Sequence, residues 1–134
     1  MLKLFKKFEV IIIIKKFIIF ITLFNLISCS ATSYNYNKQL SKIEECKSIE
    51  PFFSKSRSCL KQSIIASDKI YPELETDILL LINLIENNLN ENRLSNEMAW
   101  KLFVENLEIA MSPSTQSEVK NTSLKLNEFI KSMK

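Results

Sequence analysis

Apolar positions along this chain of 134 residues follow two different rules. Between residues 10 and 28 they run almost unbroken, interrupted by Lys15 and Lys16, and the run stops at Cys29. From about residue 38 onward they recur every three or four positions, the period of a helix with one buried face. That period predicts helices over 38–48, 54–70, 73–89, 96–111 and 116–133. The clearest stripe is Leu74, Ile78, Leu81, Ile82, Ile85 and Leu89. Leu60, Ile64 and Ile65 mark the second segment, and Trp100, Phe103, Val104, Leu107 and Met111 the fourth. Val119, Leu126, Phe129, Ile130 and Met133 mark the last. The expected fold is all-α, a small four- or five-helix bundle.

Stop and start signals separate these segments. Pro51 restricts Glu50, Tyr71-Pro72 breaks the second segment from the third, and Ser112-Pro113 closes the fourth. The asparagine-rich stretch "ENNLNENRLSN", residues 86–96, reads as a turn, with Ser95 as N-cap of the next helix and Glu97 in its first turn. Thr115 and Glu118 have the spacing of a capping box. Glu73, Glu75 and Asp77 suit the positive end of a helix dipole. They lack the alternating oxygen-ligand loop, with its turn glycine, that calcium sites use. The chain has no glycine at all, which disfavours a β-rich fold and removes phosphate-cradling loops and dinucleotide motifs.

Phe17 to Ser28 is the length of a signal-peptide core, roughly 7–15 residues, behind a basic N-terminus. Reading 10–28 as one transmembrane helix would place Lys15 and Lys16 in hydrocarbon, at about 2.5–3.5 kcal/mol each near the centre. The junction Leu26-Ile27-Ser28-Cys29 resembles the lipobox of bacterial membrane lipoproteins. A long isoleucine-rich n-region is its departure from that class. The resemblance implies cleavage between Ser28 and Cys29 and lipidation of Cys29, including palmitate. Residues 1–28 would then be a removed signal peptide, 29–42 the lipidated cysteine and a tether, and 43–134 a small helical domain. It further implies a lipid anchor in the bacterial cell envelope. Ser30 is compatible with the outer membrane where the host has two.

Charge changes the picture only once it is divided at that junction. The formal +3 splits into +4 before Cys29, from Lys3, Lys6, Lys7, Lys15 and Lys16 against Glu9, and −1 after it, from 13 cations against 14 anions. The basic excess therefore belongs to the export segment, and no nucleic-acid partner is expected.

Export also sets the redox context. With Cys29 lipidated, Cys46 and Cys59 remain as an even pair, expected to form a structural disulfide in an oxidising compartment. Two free buried thiols are the alternative. With no histidine in the chain, a metal centre or an imidazole-activated thiol has little to draw on. Trp100 is either a half-buried core aromatic or an exposed anchor for a partner or membrane. Glu105 and Glu108 are close in sequence, but on a helix surface they read as solvated. The composition points to a non-enzymatic module without cofactor; the lipobox resemblance implies that it is bound to the membrane, with another envelope protein as the expected partner. A carrier with an interhelical cavity comes second, and a carboxylate-based cell-wall hydrolase third.

Overall fold

The structure, a computed structural model, describes residues 35–134. The expected cleavage at Ser28 and lipidation at Cys29 lie outside the described residues. Within them there are five helices and no strand: α1 (residues 35–49), α2 (Phe53–Ile65), α3 (Pro72–Asn90), α4 (Asn96–Ala110) and α5 (Gln116–Ser132). No helix among the described residues is long and apolar enough to cross a membrane.

The helices alternate up and down. Short connections turn α1 into α2 and α2 into α3, and the Arg57–Glu86 ion pair together with the bond from Lys61 to Asn83 registers α2 antiparallel to α3. α3 is the central element, packed against α2, α4 and α5. Its stripe of Leu74, Ile78, Leu81, Ile82 and Ile85 is buried, as the spacing predicts. Facing it are Phe53, Leu60 and Ile64 of α2, Phe103 and Leu107 of α4, and Leu126 and Ile130 of α5. Each such side chain contributes about 1.5–3 kcal/mol of burial.

Three element boundaries differ from the sequence expectation. α1 already includes residues 35–37, ahead of the expected start at 38 and within the stretch 29–42 assigned to the tether; here Gln39 is buried and its Nε2 donates to the Ser63 carbonyl at 3.0 Å. α2 stops at Ile65, which is exposed although the periodicity put it on the buried face. α3 continues to Asn90, one residue past its expected end and inside the stretch 86–96 that also read as a turn; within it buried Asn88 donates to Leu84 O at 2.9 Å and to Met133 O at 3.2 Å. The chain then reverses at Asn92, which has φ 58°. Asparagine tolerates this left-handed region better than most residues, so the turn forms without glycine.

Candidate functional site

The most heavily braced part of the domain is the hairpin of α1 and α2. Cys46 and Cys59 form a disulfide across it, with Cα atoms 5.7 Å apart, as the cysteine count predicted. Cys46 is buried in the core while Cys59 is partly exposed. The hydroxyl of buried Ser56 closes the loop by donating to the Glu50 carbonyl.

α2 begins after Phe52, which has no capping side chain of its own. Asn96 supplies the cap from 43 residues away: its Oδ1 accepts from Phe53 N at 2.8 Å. Its Nδ2 donates to the Pro51 carbonyl at 3.1 Å. Trp100 Nε1 donates to the same carbonyl at 2.9 Å. The first turn of α4, itself capped by Ser95 Oγ accepting from Met98 N at 3.2 Å, thus grips the hairpin turn by both its donor and its acceptor.

Trp100 is therefore a core residue and not an exposed partner anchor. It is 4% exposed, its ring meets Phe53 edge-on at 5.1 Å between centroids, and its only polar atom is committed to Pro51. Side chains with a large apolar body and one donor favour such a position. The Lys47 ammonium lies 5.6 Å from the Trp100 ring centroid, within cation–π range.

Two of the three acids near the start of α3, Glu73 and Asp77, hold helices together. Asp77 accepts from Ser123 Oγ at 2.7 Å and from Asn127 Nδ2 at 3.3 Å, and Glu73 accepts from Gln116 Nε2 at 3.2 Å. Both pin α5 to α3. A cleft of about 330 Å³ opens beside these bonds, lined by Glu73, Gln116, Val119, Lys120, Ser123 and Leu124. Its lining is mixed polar and apolar, and it lies on the surface between two helices. Among the described residues no three histidine, cysteine, aspartate or glutamate side chains group as metal ligands would.

Glu105 and Glu108 are both exposed, with Glu105 3.9 Å from Lys101. Glu108 instead faces the first described turn of α1: burial, and then the Glu108 charge, hold the Tyr36 hydroxyl above its ordinary pKa. At the start of α5 the Glu118 carboxylate accepts from the N–H of Ser114 at 2.8 Å and from its hydroxyl at 3.1 Å. It reaches one residue further back than the Thr115 of the expected capping box. The backbone bond is the larger cause of the lowered Glu118 pKa.

The signals that sequence reasoning missed are Asn96 and Ser123. Both are polar residues in amphipathic helices, and nothing local distinguishes them from solvated ones. Comparison with known protein families, characterised proteins and solved structures finds no match to this chain.

Proposed function

We propose that the chain is a bacterial lipoprotein: a disulfide-braced helical module, acylated at Cys29, that works in the cell envelope by binding rather than by catalysis. The observation that carries the anchor is the junction Leu26-Ile27-Ser28-Cys29 at the end of an apolar run with a basic start. The Cys46–Cys59 disulfide supports an exported, oxidising location, since cytosolic thiols are kept reduced. A binding role rather than a catalytic one rests on the absence of histidine from the sequence. It is also supported by the engagement of Asp77, Ser123, Asn127 and Asn96 in helix-to-helix bonds.

Palmitate labelling of the wild type and of Cys29→Ala, with and without the signal-peptidase-II inhibitor globomycin, tests the anchor. Label in the wild type alone, with precursor accumulating under globomycin, is expected. Equal labelling of both proteins would remove the proposal.

A further inference from the structure

We propose that the turn between α1 and α2 is a second membrane contact, dipping Ile49 and Phe52 into the surface of the bilayer in which Cys29 is anchored; this rests on the lipid-anchor reading. Ile49 and Phe52 are 68% and 57% exposed, on either side of exposed Pro51. Both sit on the segment that the disulfide, Ser56, Asn96 and Trp100 hold rigid. Together they present on the order of 250 Å² of apolar surface, given ~150–250 Å² for a large side chain.

That area is well below the ~800 Å² per partner of a stable protein interface, which disfavours a second copy or a folded protein as occupant. A lipid surface needs far less once a covalent anchor raises the effective concentration of the domain beside it.

Charge points the same way. Residues 38–55 carry Lys38, Lys42, Lys47 and Lys55 against Glu44, Glu45 and Glu50, while residues 56–134 carry nine cations against 11 anions. The Lys55 ammonium lies 5.5 Å from the centroid of the Phe52 ring. An aromatic body beneath a cation suits the boundary between acyl chains and anionic headgroups. Among the described residues neither Lys42 nor Lys55 forms an ion pair.

Chain length permits the contact. Cys29 precedes residue 35 by six positions, a reach of at most about 20 Å. α1, with 15 described residues, then spans about 22 Å from that point to the turn. Lys38, Lys42 and Ile49 share one stripe of α1, at spacings of four and seven, together with Glu45. Laid on that stripe, the domain brings the tethered end and the turn to the bilayer together.

The test places the photoreactive amino acid p-benzoylphenylalanine at position 52 or, as control, at exposed Leu124 of the full-length lipidated protein. The protein is reconstituted in phosphatidylethanolamine–phosphatidylglycerol vesicles, and circular dichroism checks that each variant is folded. Irradiation is expected to give a phospholipid adduct at 52 and none above background at 124. Lys42→Glu with Lys55→Glu should lower the adduct yield at 52 by about fivefold or more. No lipid adduct at 52, equal adducts at both positions, or an adduct to a second copy would each overturn the proposal. The mass of the N-terminal peptide reads the anchor separately. Acyl chains present without an adduct at 52 sink the turn contact alone, and their absence sinks the anchor reading with it.

Discussion

Asn96 shows how much one side chain can decide at the residue scale. It caps a helix to which it does not belong and shares the Pro51 carbonyl with Trp100. Asn96→Ala should cost about 1–2 kcal/mol, the usual loss for a cap, read as a fall in the urea midpoint. Trp100→Phe keeps an aromatic ring edge-on to Phe53 and removes one donor, so a loss of about 1 kcal/mol is expected. The two should not add. Either single change leaves Pro51 one donor, whereas the double variant leaves the carbonyl with neither side chain, so its loss should exceed the sum of the two. A double-mutant cycle with no coupling would show that the shared acceptor does not matter. None of this is legible locally: "LSNEMAW" announces Ser95 as the cap, and says nothing of a helix start 43 residues earlier.

Helix positions were legible because burial imposes its period on sequence; helix ends were less so. α4 starts where the Ser95 side chain caps it, whereas α5 follows Thr115 although the Thr115 side chain makes no cap bond. Asn88, inside a stretch rich in turn formers, is held in α3 by a bond to a carbonyl of the final turn of the chain, and the helix ends at Asn90, one residue past the expected end. Ile65 failed in the opposite sense, since the bundle ends before its stripe does.

The start of α5 gives the pH-dependent case. Glu118 has a folded-state pKa below its ordinary value, so it binds protons less readily when folded. Its contribution is fully present above the unfolded pKa of about 4.3 and is lost as pH falls through the lower folded value. Thermal melts at neutral pH and at pH near 3 should therefore show a smaller acid-induced drop for Glu118→Gln than for the wild type. Parallel drops would mean that the bond to Ser114 does not register in stability.

The whole molecule is small enough for a single cross-link to weigh heavily. The disulfide closes a loop of sequence separation 13, and reducing it should cost about 3 kcal/mol in the chain-entropy account. Urea unfolding with and without dithiothreitol measures this, and an unchanged midpoint would mean that the hairpin is already restricted when unfolded. Three cysteines allow three pairings. If the first is consumed by acylation, one pairing is left, and its two members are consecutive along the chain. A polypeptide emerging N-terminus first through a translocation pore would then complete its bridge as soon as residue 59 is through, before Asn96 and Trp100 arrive to grip the turn. Oxidative folding of this domain would have no wrong isomer to undo, and so no need of an enzyme that shuffles disulfides.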